Sequence, residues 1–272
     1  MRQAKKTYSR VLSIAGSDSG GGAGIQADLK TFAANGCYGA SVITALTAQN
    51  TCGVSAIHAV PVDFVRSQMD AVLGDIGCDA VKIGMLFSPE LIREVADGLR
   101  RHGVTRIVLD PVMVAQSGDR LLQAEAVAAL KEQLLPLAEI VTPNIPEASV
   151  LLGRTVEAAG GAGEAARELA SLGCATVLVK GGHQDGPDCD DLLWLGGQER
   201  LVRLRGRRID TVNNHGTGCT LSSAIAAFLA RGEEREAAVR QAKAYITGAI
   251  EAGGGYRIGH GHGPVHHFYR SW

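Results

Sequence analysis

Short, almost wholly apolar segments recur along this chain, and each one ends at a polar or glycine-rich loop. Between them lie segments whose apolar residues recur every three or four positions, which is the spacing of one buried helical face. Strands that are buried on both faces read as continuous apolar runs, and their alternation with helices indicates a parallel sheet covered on both sides. The sequence therefore predicts an α/β fold with a central, mostly parallel sheet. No linker or internal repeat divides the 272 residues, which predicts a single domain over 1–272.

The same patterns place the individual elements. Strands are predicted at residues 11–15, 41–48, 80–83, 107–109, 139–141 and 176–179. Helices are predicted at about 25–36, from Pro61 onward, and at 89–102, 124–135, 147–152, 164–172, 218–230 and 234–252. Two more strands, 192–195 and 201–204, flank Gly196-Gly197 and predict a hairpin. In the helix that Pro61 opens, the spacing of Phe64, Val65, Met69 and Val72 predicts a buried stripe.

Charge and composition exclude several classes of protein. The chain has 27 Lys and Arg against 28 Asp and Glu, a net charge of −1, so it lacks the basic surface that a nucleic-acid binder needs. Hydrophobic residues make up 46% of the sequence, and with a net charge near zero this composition argues against disorder. The sequence predicts a globular protein with no nucleic-acid partner.

The cysteines and the apolar segments indicate a compartment. The six cysteines are scattered without a Cys-x-x-Cys pair, which is typical of free thiols in a reducing environment. The basic start is followed by an apolar run that is too short for a signal peptide, and no segment approaches the ~20 apolar residues that span a bilayer. We expect a cytoplasmic protein that does not bind a membrane.

Polar clusters follow the predicted strands, at the sheet edge where open α/β folds bind their ligands. One is the glycine-rich loop 16–24, with Asp28 in the helix behind it. Asp110, Asn144 and Glu147 form a second cluster, and residues 180–183, which begin with Lys180, form a third. The fourth, residues 215–220, opens an alanine-rich helix.

The fourth cluster carries the most specific chemistry. Gly216 and Gly218 flank Thr217 in a turn whose backbone N–H groups can converge at a helix N-terminus, which suits a transferring phosphoryl group. At the same helix N-terminus we expect a stabilised thiolate at Cys219, which favours a base or a nucleophile. The alternative is that the glycines serve only a tight turn and Cys219 is a small core residue, and the motif leaves both open.

The other clusters are less specific. The glycine-rich loop has neither the P-loop spacing nor the dinucleotide spacing of glycines, so a flexible turn is an equal interpretation. Asp110 and Glu147 have the hard oxygen ligands that Mg²⁺ prefers, but either could be a helix cap or a surface charge. Lys180 could neutralise nucleotide phosphates as a point charge. A metal site in the histidine-rich tail, from His260 to His267, is the weaker interpretation, because a closed site needs a fixed scaffold.

Taken together, the motifs resemble the hydroxymethylpyrimidine/phosphomethylpyrimidine kinases of thiamine biosynthesis. The matching blocks follow the family's order and cover essentially the whole chain. They are residues 15–18 with 21–32, 41–51, 82–86, 110–113, 142–148, 179–183, 215–220 and 263–268. The chain departs from some members in lacking a proline within 17–21 and in having Gln49 where they have glutamate. The resemblance implies a ribokinase-like, three-layer αβα sandwich.

It also implies roles for individual residues. Cys219 matches the general base, the 216–219 backbone holds the developing charge, and Lys180 and Asn144 match ATP-binding positions. Glu147, with Asp110, matches the part of the site that organises Mg²⁺. The residues that match the aminopyrimidine pocket are Asp28, Gln49, Gly16, Ala23, Met85 and Val112. The implied activity is ATP-dependent phosphorylation of hydroxymethylpyrimidine and then of its monophosphate, in a homodimer.

Two other functions stay open. A pyridoxal or pyridoxine kinase would share the phosphate-binding residues, since vitamin B6 also carries a hydroxymethyl group on a flat heteroaromatic ring. The ring pocket at Gln49, Met85 and Val112 would distinguish the two. A non-catalytic pyrimidine-binding module is the third hypothesis, although a binder has no need of both a base and an anion hole.

Overall fold

The computed structural model describes residues 6–113, 125–157, 160–182 and 188–272. Within these residues one sheet contains nine strands in the order β3-β2-β1-β4-β5-β6-β7-β8-β9. The strands are β1 Arg10–Asp18, β2 Tyr38–Asn50, β3 Gly53–Ala59, β4 Ala80–Ile83, β5 Ile107–Leu109, β6 Ile140–Val141, β7 Thr176–Val179, β8 Asp191–Leu195 and β9 Arg200–Leu204. In the sheet, the neighbouring strands β2, β1, β4, β5, β6 and β7 are parallel to one another. At the two edges, β3 pairs antiparallel with β2, and β8 pairs antiparallel with β7 and β9.

The helices cover both faces of the sheet. They are α1 Gly24–Ala34, α2 Val62–Asp75, α3 Pro89–Arg101, α4 Ala126–Ala129, α5 Ile145–Leu152, α6 Ala162–Ala170, α7 Thr217–Ala230 and α8 Arg235–Gly253. α2 to α6 pack on one face, where their apolar side chains form one core, and α1, α7 and α8 form a second core on the other. The strands supply both cores by alternation, since Ile107 and Leu109 belong to the first and Val108 to the second. The predicted three-layer αβα sandwich is confirmed.

Local sequence explains several helix boundaries. The Ser88 side chain accepts a hydrogen bond from the Leu91 amide, with Pro89 at the first helical position, as the sequence predicts for α3. The predicted helix 124–135 begins outside the described residues; its described part runs through α4 into a π turn at Leu130–Leu134.

In the described part of the chain, no helix combines the length and the apolar character needed to cross a membrane.

The sequence predictions are wrong at one residue of α2 and incomplete at β3. Phe64 is 59% exposed, whereas Val65 and Met69 are fully buried, so the buried stripe of α2 does not include Phe64. β3 was not predicted from the sequence; it pairs antiparallel with β2 and most of its residues are exposed. The predicted hairpin around Gly196-Gly197 is confirmed by the pairing of β8 with β9.

Candidate active site

A cavity of about 710 Å³ opens at the carboxyl ends of the parallel strands. Its size falls within the range of small-molecule sites. Of the residues singled out in the sequence, those that line it are Gly16, Ala23, Gln49, Met85, Asp110, Val112, Asn144, Glu147, Lys180, Gly216, Thr217, Gly218 and Cys219. The structure thus brings the four clusters together, as expected from strand ends that share one edge. Asp28 is not among the lining residues.

The turn before α7 depends on its glycines. Gly216 has φ +78°, and a side chain there would also collide with the carbonyl oxygen of Gly22. The turn therefore packs directly on the glycine-rich loop. At Gly218 a Cβ would lie 3.6 Å from Lys180 Nζ and 3.7 Å from Asp110 Oδ2, in van der Waals contact, so the Cα of this residue faces both charged groups directly. The two glycines thus have different functions, one in packing and one in exposing the backbone of α7.

Cys219 lies in the first turn of α7 and lines the cavity. Burial raises the pKa of its thiol; Lys82 opposes this shift, and Asp28 and Asp110 add to it. The expectation of a stabilised thiolate is therefore wrong for the site as it stands. Burial outweighs the opposing effects of Lys82 and of the backbone hydrogen bond at Gly24.

Lys180 lies between two carboxylates. Its Nζ is 2.9 Å from Asp110 Oδ1 and 3.7 Å from Glu147 Oε2. Burial works against each charge, but Lys180 and Lys82 hold the pKa of Asp110 below its usual value, and Asp110 with Glu147 raises that of Lys180. Glu147 is the less compensated acid, because burial and the nearby Asp110 raise its pKa to about 6 despite Lys180. The cluster therefore has one carboxylate more than Lys180 can neutralise.

Asn144 and Glu147 also form a capping box at the start of α5. The Asn144 side chain accepts from the Glu147 amide at 2.8 Å, and Glu147 Oε2 accepts from the Asn144 amide at 2.8 Å. The helix-cap interpretation of Glu147 is thus confirmed alongside its place in the cavity. The cap fixes the carboxylate next to Lys180.

Asp28 has a different environment from the one expected. Both of its oxygens lie 2.9 Å from Lys82 Nζ, and the hydroxyls of Ser13 and Ser223 donate to it at 2.6 Å. The Asp28 and Lys82 side chains are both fully buried. Because its oxygens already accept these bonds beneath the site, the expectation that Asp28 binds the ring is corrected: it is the counterion of Lys82. Lys82, which lines the cavity, was missed; its signal was a lysine inside an apolar strand.

The glycine-rich loop is organised by Asp18, which the sequence did not single out. Asp18 accepts hydrogen bonds from the backbone amides of Gly20, Gly22 and Ala23 at 2.8–2.9 Å. His215 Nε2 lies 3.1 Å from the same carboxylate. Burial alone would raise the pKa of Asp18, but His215 and the amides lower it overall. The loop is therefore a defined turn around an ionised carboxylate. The sequence signal for Asp18 was an acidic residue at the end of a strand, shortly before the glycines.

The remaining pocket residues form a mostly apolar slot. At Gly16 a Cβ would lie 2.6 Å from Met85 Cε, so the glycine lets the methionine close over the strand. Ala23 and Val112 line the same cavity. Gln49 supplies polar atoms: its amide lies 3.1 Å from Thr47 Oγ1 and 3.3 Å from His215 Nε2. This arrangement suits a flat ring with polar groups on its edge.

The histidine-rich tail forms no candidate metal cluster among the described residues. His267 is buried, where its ring meets Thr220 Oγ1 at 3.1 Å, and burial lowers its pKa to about 4. His260 and His262 are exposed. His183, which closes the third cluster, lies outside the described residues.

Comparisons with known proteins agree with this geometry. A family model described as phosphomethylpyrimidine kinase matches residues 18–266. A hydroxymethylpyrimidine/phosphomethylpyrimidine kinase of Rhizobium meliloti is 58% identical over 264 residues, which cover 96% of this chain and 97% of that protein.

Two solved structures have the same fold. A phosphomethylpyrimidine kinase of Clostridium difficile is 46% identical with a TM-score of 0.78, over 89% of this chain and 99% of its own. A pyridoxal kinase of Bacillus subtilis, solved as an ADP complex, is 37% identical with a TM-score of 0.88, over 96% and 98%. The chain belongs to the phosphomethylpyrimidine kinase family and is a kinase of the ribokinase-like fold.

Proposed function

We propose that this kinase transfers the γ-phosphoryl group of ATP to 4-amino-5-hydroxymethyl-2-methylpyrimidine and then phosphorylates the monophosphate to the diphosphate, in thiamine biosynthesis. The observation that carries the proposal is the position of Gly218 at the start of α7, where it faces Lys180 and Asp110 in the cavity that Cys219 also lines. Phosphoryl transfer needs positioning and charge stabilisation more than covalent chemistry. This arrangement supplies both beside a pocket for a flat ring.

Each group then has a task that follows from its position. The ring lies in the slot of Gly16, Met85 and Val112, with the amide of Gln49 at its polar edge. Backbone N–H groups at the start of α7 stabilise charge on the transferring phosphoryl group, and Lys180 adds a positive charge. The hydroxymethyl oxygen bonds to the γ-phosphorus as the bond to the ADP oxygen breaks.

Cys219 is the proposed acceptor of the hydroxyl proton. Only the thiolate accepts a proton, and burial raises the pKa of this thiol, so the active population is the ionised minority at neutral pH. Lys82, which favours the thiolate, opposes the effect of burial. Turnover should therefore increase with pH.

The carboxylates fit Mg²⁺. Glu147 and Asp110 are hard oxygen donors at the cavity, and the raised pKa of Glu147 shows that Lys180 leaves its negative charge partly uncompensated. Asp110 and Glu147 would hold the ion, directly or through water. When bound, Mg²⁺ neutralises phosphate charge in phosphoryl transfer.

The proposal extends to assembly and location. We propose a homodimer, supported by the position of β3 at the edge of the sheet, where Ile57 is 47% exposed. We propose the cytoplasm as the compartment, supported by six unpaired cysteines, since free thiols are typical of a reducing environment.

The first test is a coupled ADP-release assay with Mg·ATP and products resolved by mass. The panel contains hydroxymethylpyrimidine, its monophosphate, pyridoxal and pyridoxine. Two successive phosphate additions to the pyrimidine are expected. Turnover of the B6 vitamers alone would replace the proposed substrate by that of a pyridoxal kinase, a candidate supported by the structural similarity to the Bacillus subtilis enzyme. Ring binding without ATP turnover would leave a binding module.

Matched variants test the residue roles. Cys219→Ala should lower kcat by about 10²-fold or more with little change in ring binding, the usual size of a general-base effect. Cys52→Ala, at an exposed cysteine, is the control and should leave kcat unchanged. Gln49→Ala should mainly raise the KM of the pyrimidine. A Cys219→Ala enzyme with normal turnover would remove this thiol from the mechanism.

A further inference from the structure

A chain of polar side chains connects the glycine-rich loop to the ring-binding amide. His215 Nε2 lies 3.1 Å from Asp18 Oδ2 and 3.3 Å from Gln49 Nε2, and Gln49 Oε1 lies 3.1 Å from Thr47 Oγ1. Asp18, His215 and Thr47 have no part in the chemistry proposed above. All four residues line the cavity, so their hydrogen bonds affect what the cavity recognises.

The first contact identifies the protonated nitrogen of the His215 ring. The Asp18 carboxylate already accepts backbone amides from the loop, and these with His215 keep its pKa low. An ionised carboxylate only accepts hydrogen bonds, so the nitrogen 3.1 Å from it must donate. Nε2 of His215 therefore carries the proton, in the neutral ring and in the cation alike.

The second contact determines the direction of the Gln49 amide. The amide nitrogen and oxygen are nearly the same size, so their partners decide which atom occupies which position. The single hydrogen on His215 Nε2 points to Asp18, and a ring nitrogen that carries a hydrogen cannot accept one from an NH₂ group. Oε1 is therefore the Gln49 atom that fits beside Nε2, where it shares that hydrogen. At the other end the single hydroxyl hydrogen of Thr47 is directed to the Ser17 carbonyl oxygen at 2.9 Å, so Thr47 accepts and the amide NH₂ donates. The orientation with Oε1 toward His215, which reverses the amide atoms of the contacts given above, pairs both ends of the amide, whereas the other orientation leaves the NH₂ group facing an N–H group.

The backbone of Gln49 is held by the same loop. The backbone N–H of Gln49 donates to Ser19 Oγ at 2.8 Å, and the Ser19 hydroxyl donates to the backbone carbonyl of Gln49 at 2.8 Å. A register shift between Ala48 and Gln49 in the β2–β3 pairing sets the direction of the side chain. Gln49 is thus fixed at the main chain by Ser19 and at the amide by His215 and Thr47.

We propose that His215 is a positioning residue that, through Asp18, holds the Gln49 amide in one orientation and so selects a ring with a hydrogen-bond donor and an acceptor in a fixed order. A carboxamide pairs with an amino group and the adjacent ring nitrogen, as glutamine does with adenine. A 4-aminopyrimidine offers this pair, and the corresponding 4-oxo ring offers it in the reverse order. The inference rests on the proposed function and on Gln49 as its ring-reading residue.

The experiment compares kcat/KM for the aminopyrimidine with kcat/KM for its 4-oxo analogue in wild type and variants. Wild type should prefer the amino ring by about 10²-fold or more, because the oxo ring leaves buried polar groups unpaired. In His215→Asn, whose amide is too short to reach Gln49, the ratio should fall to about 10-fold or less because the Gln49 amide can reverse. His215→Gln restores an N–H group at that reach and should recover most of the preference. His262→Asn, at an exposed histidine, is the matched control.

The selectivity ratio separates positioning from general damage, since a loss of active protein lowers both rates equally. An unchanged ratio in His215→Asn, at any absolute rate, would overturn the inference. If that variant does not fold, nitrogen NMR of the wild-type His215 ring decides: a protonated Nε2 supports the inference and an unprotonated Nε2 overturns it. A wild type that phosphorylates B6 vitamers but not the aminopyrimidine would refute the proposed function, and this inference with it.

Discussion

Replacing Asp28 by asparagine tests whether this carboxylate supports the fold or binds the substrate. Asparagine keeps the size of the side chain and one acceptor oxygen for the serine hydroxyls, but it removes the charge that balances Lys82. The two side chains are fully buried and make two contacts of 2.9 Å. Removing one partner of a buried ion pair leaves an uncompensated charge and costs about 3–5 kcal/mol.

That loss is large enough to measure directly. It is about a fifth or more of the ~5–15 kcal/mol by which domains are stable, and it should lower Tm by roughly 10 °C for a chain of this length. Urea unfolding followed by circular dichroism gives the free energy of unfolding. The control is Asp97→Asn, at an exposed ion pair with Arg100, which should change stability by less than about 1 kcal/mol.

The pH dependence of the variant's stability gives a second, independent test of the ion pair. In wild type Asp28 raises the pKa of Lys82 despite burial, so the lysine stays charged. Without Asp28, burial favours the neutral amine, and the unfolded chain then binds one proton more than the native protein. Stability of Asp28→Asn relative to wild type should therefore rise with pH, by up to about 1.4 kcal/mol per unit. Asp110 also faces Lys82, so a smaller slope measures how far it replaces Asp28.

The opposite result would refute this reasoning. If Asp28 binds the ring, Asp28→Asn should unfold within about 1 kcal/mol of wild type, while the KM of the pyrimidine rises at least tenfold. A destabilised variant whose KM changes much less than its stability supports the structural role.

Three further predictions concern the cavity. Glu147→Gln should be more stable than wild type by up to about 2 kcal/mol above pH 6, because burial raises the pKa of Glu147 to about 6 and the ionised form destabilises the fold. This gain in stability should vanish below pH 4.5, the ordinary pKa of glutamate. Urea unfolding at several pH values measures it, and a difference between the two proteins that does not change with pH would contradict the prediction. The kcat of wild type should rise with pH above 7, because burial raises the pKa of Cys219, and a profile flat to pH 9 would exclude its thiolate as the base. Gly216→Ala should abolish turnover because of its positive φ and its contact with Gly22, whereas Gly197→Ala, where a Cβ meets nothing within 4 Å, should match wild type in the same assay.

Buried parallel strands were the easiest part of the fold to predict. β4, β5 and β7 match the predicted 80–83, 107–109 and 176–179 residue for residue, because each strand is buried on both faces and mostly apolar, and a polar loop follows it. β3 gave no such signal, since its exposed residues carry no burial pattern and its strand conformation comes from pairing with β2. Phe64 was placed in the core of α2 because helical spacing alone does not fix where a stripe ends.

The position of the site was predictable, whereas the partners of its charged groups were not. Strand ends of a parallel sheet meet at one edge, so thirteen of the fourteen residues singled out line one cavity. Asp28 is paired with Lys82, 54 residues away, and His215 with Asp18, 197 residues away, and local sequence patterns carry no information on such pairings. The Cys219 thiol was assigned the wrong ionisation because desolvation depends on everything packed around the sulfur.

These pairings support the proposal that the nucleotide binds together with Mg²⁺. Asp28 balances Lys82, and Asp110 lies closer to Lys180 than Glu147 does, so the two buried ammonium groups are already compensated by two carboxylates. Glu147 is the remaining acid, and burial together with the nearby Asp110 raises its pKa to about 6 despite Lys180. An uncomplexed triphosphate would meet Lys180 only alongside this surplus negative charge. A triphosphate that carries a divalent ion reverses that interaction, because the ion attracts the same carboxylates that repel the phosphates.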